Sequence, residues 1–246
     1  MKIKFFKLFN YLFIYCYPIY YPLYGAWKAF ADRRERTILR MLVRPEMTVI
    51  DVGANIGIYT SFFAKLVGSR GKIYAFEPGL TNFSHLKTNL KELKNVAINR
   101  SAVGNDSGFI KLYLSDELNV DHQTYDDGSG RATELVPIIS LDDYFNVGQK
   151  VNLIKIDVQG YEYNVLQGAQ RVLRENPDIK IFMEYWPYGL EQAGIKPAAL
   201  EKLIESLNFK IEATEGHETN KKFNIHLHNS NDINDYCNVI LSRKNK

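Results

Sequence analysis

One stretch limits what this chain can become: Met47-Thr-Val-Ile-Asp51-Val-Gly53-Ala-Asn55-Ile-Gly57-Ile-Tyr-Thr60. An extended, largely apolar run ends in an acid and two glycines, after which Ile58, Phe62 and Leu66 repeat at helical spacing. The pattern is strand, tight turn, helix. In an open α/β sheet such turns face the crevice where ligands bind, and glycine lets the backbone approach a ligand that a β-carbon would obstruct. A second strand over Lys72–Phe76 ends at Glu77, so Asp51 and Glu77 finish neighbouring strands. An acid at the end of the second strand is placed to accept hydrogen bonds from both hydroxyls of a ribose, which makes the expected ligand a nucleoside derivative.

Glycine spacing narrows that class. A dinucleotide fingerprint puts glycines at 53, 55 and 58, whereas this chain has Gly53, Asn55 and Ile58, with Gly57 as its second glycine. The turn therefore suits a ligand without a pyrophosphate, and S-adenosylmethionine meets that description. The alternative is that Gly53 and Gly57 only allow tight packing of strand and helix.

At 246 residues, 46% hydrophobic and 24% charged, the chain has the size and composition of one globular α/β domain with an appendage. The division expected is an aromatic extension over 1–30 and a single Rossmann-like domain over 31–246. A net charge of +3 is too small to argue for a nucleic-acid partner. Cys16 and Cys237 lie far apart without metal-ligand spacing, and His226 and His228, which would share a strand face, lack a recognisable third ligand. No metal is expected.

The first 27 residues are unusual. Lysines at 2, 4 and 7 precede an uncharged run from Leu8 to Trp27 that carries six tyrosines. Its length would span a bilayer, but Pro18, Pro22 and the tyrosine hydroxyls make a poor hydrocarbon helix. Rings with a polar tip favour an interface, so the leading expectation is packing on the domain or on a partner subunit in a homodimer. Peripheral membrane contact through residues 1–27 and a true span or uncleaved signal are the alternatives. The expected location is cytoplasmic, with or without membrane association.

Further along, a lead-in helix is expected over Ala31–Val43 and another over Leu80–Leu93. A third strand over Asn95–Val103 carries Ser101 and Ala102, read either as neighbours of an adenine or as packing residues. Two extended pieces, 109–114 and 133–139, flank a long polar loop, Asp116–Arg131, which is expected to serve as a lid or to contact substrate. Val151–Val158 reads as a buried parallel strand closed by Asp157, followed by one helix over Tyr161–Glu175. The next strand, Asp178–Tyr185, delivers Glu184, and a helix over 197–207 and a strand over 209–214 follow. Cys237–Ser242 is expected to close the sheet as an antiparallel strand. Strands alternating with helices argue for a doubly wound, mainly parallel sheet.

Several motifs in order also resemble one family. Ile50-Asp-Val-Gly-Ala-Asn-Ile-Gly57, Phe76-Glu-Pro78, Ser140-Leu-Asp-Asp143, Ile154-Lys-Ile-Asp-Val-Gln-Gly-Tyr-Glu162 and Val165-Leu-Gln-Gly-Ala169 resemble the FkbM family of S-adenosylmethionine-dependent methyltransferases. The resemblance covers roughly residues 35 to 214. It implies a class I methyltransferase fold and transfer of a methyl group to a hydroxyl oxygen, often on a sugar or polyketide. The family pattern usually reads Asp-Val-Glu-Gly followed by His or Ala, where this chain has Gln159 and Tyr161.

An alcohol becomes a useful nucleophile only if a base takes its proton as the new bond forms. Asp157 is the preferred base or orienting group, with Glu162 one helical turn away and Glu184 in support. Lys155, two residues earlier, shares its strand face and would keep Asp157 ionised. The alternative role for Asp157 is capping the next helix. The cofactor residues expected are Asp51, Gly53, Asn55, Gly57, Glu77, Ser101 and Ala102. The expected partner is a small molecule or glycan with a free hydroxyl, and Tyr125, Trp186 and Tyr188 are candidate rim aromatics. A nicotinamide-dependent oxidoreductase and a catalytically degenerate nucleoside-binding protein are the competing classes.

Overall fold

The structure, a computed structural model, describes residues 2–115, 121–213 and 230–244. Strand β1, Thr48–Val52, is buried from Val49 onward and pairs in parallel with β2, Lys72–Phe76, on one side and β7, Leu153–Ile156, on the other. A strand flanked on both edges and covered on both faces must be apolar almost throughout, and Val49, Ile50 and Val52 are. β3, Val96–Asn99, extends the sheet beyond β2. On the opposite side β8, Lys180–Tyr185, pairs in parallel with β7, and β10, Cys237–Arg243, runs antiparallel between β8 and β9, Phe209–Ala213. The order is β3-β2-β1-β7-β8-β10-β9, a mainly parallel sheet closed by an antiparallel C-terminal strand.

Period-two alternation assigns the two faces. Ile50, Val52, Ile154 and Ile156 pack with α7, Glu162–Gln167, α8, Gln170–Glu175, and α10, Pro197–Ser206. Val49, Leu153 and Phe182 turn to the other face and meet α3, Arg33–Leu42, and α4, Ile58–Val67. The same alternation sends Asp51, Lys155 and Glu184 to that second face, near the strand ends. α5, Leu80–Leu90, packs Leu86 and Leu90 against Ala75 of β2.

Two expected elements are divided. The strand anticipated over 95–103 ends at Asn99, and Ala102–Val103 forms β4 of a separate sheet with β5, Gly108–Tyr113, and β6, Thr133–Ile139, in the order β4-β6-β5. The helix anticipated over 161–175 breaks into α7 and α8 at Gly168. A β-carbon there would lie 1.8 Å from the Gly104 carbonyl oxygen, and the Asp142 carboxylate caps the new start by accepting from the Arg171 and Val172 amides at 2.8 and 2.9 Å. The Ser140-Leu-Asp-Asp143 motif is therefore structural here. It forms α6, Leu141–Tyr144, whose own start is capped by Ser140 Oγ accepting from the Asp143 amide.

The aromatic N-terminus forms α1, Lys2–Tyr15, and α2, Tyr17–Ala31, which fold back on each other. Edge-on ring contacts of Phe9 with Tyr20 and Tyr24, and of Phe13 with Tyr17 and Tyr20, define the inside of this hairpin. It packs on its own chain: the Tyr17 ring stacks 3.5 Å from the His85 ring, and Asn89 Nδ2 donates to the Tyr17 hydroxyl at 2.7 Å and to the Ile56 carbonyl at 2.8 Å. Among the described residues no helix is long and apolar enough to cross a membrane. The anticipated His226 and His228 pair lies outside the described residues.

Candidate active site

β1, β2, β7 and β8 end side by side, since the registers pair Val52 with Phe76 and Ile156, and Ile156 with Met183. Beyond these ends lies a cavity of about 530 Å³. Its floor holds the turns that follow the strands, and glycine brings those turns together. Gly53 has φ +78°, and a β-carbon on it would lie 1.9 Å from the Asp157 carbonyl oxygen, so the β1 turn rests against the β7 turn. Gly160 has φ +96°, with the Gly189 carbonyl oxygen 2.4 Å from its missing β-carbon, so the β7 turn rests in turn against α9, Pro187–Gln192, which follows β8.

Gly53, Asn55, Glu77, Ser101 and Ala102 all line the cavity. Glu77 is buried at the end of β2; its Oε2 accepts from the Asn55 amide at 2.9 Å and its Oε1 from the Gly79 amide at 3.0 Å. Burial pushes its carboxyl up to about 7 in spite of these two donors. A carboxylate offers about four acceptor sites, so ribose hydroxyls can still donate to it. Thr124, also in the lining, has a buried hydroxyl oxygen with no hydrogen-bond partner among the described residues, a further polar group suited to a nucleoside.

Asp51 and Gly57, also expected among the cofactor residues, stand behind this lining. Asp51 is fully buried: its Oδ2 accepts from the Thr60 hydroxyl at 2.6 Å and its Oδ1 lies 3.5 Å from Lys155 Nζ. It ties β1 to α4 and anchors a lysine. Gly57 starts α4, and its missing β-carbon would lie 2.8 Å from Leu86 Cδ1, so close helix packing is its role.

The other end of the floor is acidic. Lys155 Nζ lies 3.3 Å from Asp157 Oδ2, the lysine side chain 4% exposed and the aspartate 41% exposed towards the cavity. Burial opposes the charge on Asp157, but Lys155 and then Lys28 outweigh it and hold this carboxyl below its ordinary range. Glu184 goes the opposite way. Burial, reinforced by the negative charges of Asp157 and Glu162, pushes it well above the ordinary carboxylate range. Gln159 Nε2 donates to Asp157 Oδ1 and to Glu184 Oε2, both at 3.2 Å, and so bridges the two acids. The bridge comes from a residue at φ +54°, an uncommon conformation for a side chain larger than glycine's.

Glu162 lies beneath the cavity floor. It is fully buried, and its Oε1 accepts from the Val158 and Gly160 amides at 3.3 and 3.2 Å, which fixes the β7 turn. Expected among the catalytic acids, it stands outside the cavity lining as a support of that turn. Of the rim aromatics, Trp186 lines the cavity, with its indole N–H donating to the Ile233 carbonyl at 2.9 Å. Tyr125 and Tyr188 lie outside the lining.

The hairpin supplies the roof, which the sequence did not reveal. Phe9, Tyr20, Tyr24, Trp27 and Lys28 face the cavity from above. Lys28 Nζ and the Tyr59 hydroxyl both contact Asp32 Oδ2 at 2.9 Å, while Lys155 Nζ lies 5.3 Å from the centre of the Tyr59 ring. Contacts thus run from the roof through Asp32 and the Tyr59 ring to the lysine that holds Asp157. The loop anticipated as a lid contributes Asp121, His122, Gln123, Thr124 and Arg131 to the wall, with its residues 116–120 outside those described. His122 Nδ1 accepts from the Ser115 amide at 3.0 Å, and burial lowers its pKa, so it is a neutral wall residue.

Comparison with known proteins follows the same lines. The family described as Methyltransferase FkbM domain matches residues 51–211. Hexuronic acid methyltransferase AglP of Haloferax volcanii is 26% identical over 195 residues, covering 76% of this chain and 75% of that protein. Methyltransferase sdnD of Sordaria araneosa is 27% identical over 199 residues, covering 66% and 73%. Among solved structures, a SAM-dependent O-methyltransferase from Thermotoga maritima superposes with a TM-score of 0.50 at 15% identity, over 87% of this chain and 66% of that one. A Streptococcus mutans protein solved in complex with SAH gives a TM-score of 0.50 at 12% identity, over 85% and 96%. At such identities the structural likeness speaks to fold alone.

Proposed function

This chain belongs to the FkbM methyltransferase family, and we propose that it moves a methyl group from S-adenosylmethionine to a hydroxyl oxygen of a sugar. Membership makes it a methyltransferase with S-adenosylmethionine as cofactor and decides against the nicotinamide-dependent alternative. The finer reading, a hydroxyl on a carbohydrate, rests on two carboxyl groups that line the cavity side by side, Asp157 and Glu184, each bonded to Gln159 Nε2 at 3.2 Å, the first lowered and the second raised from the ordinary carboxylate range. The kinship with a hexuronic acid methyltransferase supports the sugar.

Glu77 would hold the ribose, and the Asn55 and Ser101–Ala102 backbone would border the rest of the nucleoside. Bound S-adenosylmethionine supplies an electrophilic methyl group on a sulfonium whose sulfur leaves as a neutral thioether. Asp157 accepts the hydrogen bond of the acceptor hydroxyl and so aligns one oxygen lone pair with the methyl carbon. As the oxygen–carbon bond forms, the hydroxyl proton becomes strongly acidic, so a carboxylate held at low pKa by two lysines can still take it. Glu184, whose raised pKa favours the protonated form, donates to a neighbouring acceptor oxygen, while Gln159 fixes the distance between the two acids. Trp186 presents an aromatic face to the sugar. A substrate carboxylate needs no base and would be repelled by Asp157, so a hydroxyl is the better acceptor for this site. Residues 31–246 are read as one domain carrying all of these groups except those of the roof.

The test is transfer of labelled methyl from S-adenosylmethionine to hexose and hexuronic acid oligosaccharides, compared with the same sugars whose hydroxyls are blocked. Label is expected in the unblocked sugars and should survive mild base. Release of the label by mild base would mean an ester, and the hydroxyl assignment would fall.

A further inference from the structure

The hairpin has a second face. Outside the cavity lining it exposes Tyr11, Ile14 and Tyr15 on α1 and Ile19, Leu23 and Phe30 on α2, with Tyr15 71% and Phe30 70% exposed, and Trp27 at the border is both exposed and part of the lining. The spacing of four, four and three residues from Ile19 to Phe30 keeps these side chains within roughly 80° of arc on one helix. Apolar side chains concentrated in this way on a soluble surface mark an interaction site.

Charge identifies the occupant. Residues 1–44 hold nine basic and two acidic side chains, whereas the remaining 202 residues hold 22 basic and 26 acidic ones. Arg33, Arg34, Arg40 and Arg44 are exposed just beyond the apolar stripe, and the Arg33 guanidinium sits 5.1 Å from the centre of the Phe30 ring. Arg33 and Arg44 donate to the carbonyls of Phe30 and Arg40, and neither forms an ion pair among the described residues. A second copy of the chain would bring two such positive faces together, an arrangement that like charges oppose.

We propose that this outer face of the hairpin lies on an anionic lipid surface, with the aromatic and aliphatic stripe at headgroup depth and the arginines among the lipid phosphates. Helices with an apolar stripe, interfacial tyrosine and tryptophan, and a cationic flank bind in the plane of a bilayer without crossing it. That agrees with a hairpin in which no helix among the described residues could cross a membrane. Trp27 belongs both to the exposed stripe and to the cavity lining, so the lipid contact adjoins the roof of the active site. The docking stands independently of which acceptor is methylated.

Flotation of the full chain with vesicles tests it, using phosphatidylcholine alone and an equimolar mixture with phosphatidylglycerol. Recovery is expected with the anionic vesicles, falling at high salt. Replacing Arg33 and Arg34 by Gln should lower partitioning on the order of thirtyfold. Ile19→Ser, Leu23→Ser and Phe30→Ser together should abolish it, with binding of S-adenosylhomocysteine retained as the sign of an intact fold. Equal flotation of the full chain and the triple variant would overturn the proposal, as would no recovery with anionic vesicles. A dimer of the full chain that the triple variant converts to monomer, without lipid binding, would reassign the face to contact between copies.

Discussion

The floor and the roof of the cavity are built by different means. The floor consists of turns that parallel strands deliver to one edge, so backbone pairing sets the positions of Glu77, Asp157 and Glu184. The roof is an appended hairpin held by stacked rings, by the Asn89 to Tyr17 hydrogen bond and by the Asp32 to Tyr59 contact. Yet both supply cations to the same carboxylates, Lys155 from below and Lys28 from above. A catalytic sheet can therefore take an electrostatic component from a segment that shares none of its strand architecture. Substitutions in the two parts should differ in kind: floor variants should remove chemistry or binding outright, and roof variants should shift them.

The largest effect is expected at Asp157. Asn keeps the shape but cannot take a proton, so Asp157→Asn should lower turnover by a factor on the order of 10²–10⁴. Cofactor-product affinity should stay within a few-fold, because Glu77 and the β1 turn are untouched. Titration with S-adenosylhomocysteine beside single-turnover kinetics measures both, and unchanged turnover would remove Asp157 from the reaction.

Glu77 comes next. Glu77→Ala should weaken binding of S-adenosylhomocysteine by about 1–3 kcal/mol, since the Asn55 and Gly79 amides lose their acceptor along with the ribose. The carboxyl is raised to about 7 in the folded protein, so protonation is favoured there over the unfolded chain. Its contribution to stability is therefore present at low pH and lost as pH rises from the unfolded value through about 7. Ribose hydroxyls prefer the ionised acceptor, so ligand affinity should rise over that same interval and release a proton. Calorimetry in buffers of different ionisation heat checks the proton, and Glu77→Gln should flatten the pH dependence; an equally steep dependence in that variant would assign it elsewhere.

How much of this was legible beforehand follows the same division. Alternating faces and terminal acids are local properties of a strand, so the parallel sheet and the acids at 77, 157 and 184 could be read from the chain. What the pattern could not convey was the direction of a side chain beyond a turn. Glu162 was expected in the chemistry because it follows Asp157 closely, but α7 begins there and its carboxylate turns back to the β7 amides. Gly57 matched a ligand-binding pattern, but only the fold reveals Leu86 against it. Gln159 looked like a departure from a family motif and proved to bridge two acids. Lys28 had no local signal, because its importance arises only when the hairpin closes over the strand ends.

Lys28 gives the sharpest test of the roof as an electrostatic part. Lys28→Met keeps the aliphatic stem and removes the charge, so Asp157 should ionise less readily and the acidic limb of the turnover profile should move to higher pH. Activity lost on acidification would then be lost at a higher pH than in the unaltered protein. A purely structural role would lower activity evenly across pH, so a proportionate fall without displacement would break the link between roof and floor.

The smallest effect belongs to the attachment of the roof. Tyr17→Phe keeps the ring stacked on His85 and deletes only the hydroxyl that accepts from Asn89 Nδ2, which retains its second bond to the Ile56 carbonyl. The expected loss is about 0.5–1.5 kcal/mol, the ordinary net value of one hydrogen bond. Because the hairpin is an appended element, this loss should show first as faster amide exchange in residues 9–31, with the sheet unaffected. Equal loss of protection in β1 and β7 would mean that roof and floor unfold as one unit, and the contrast between them would then hold for their construction but not for their stability.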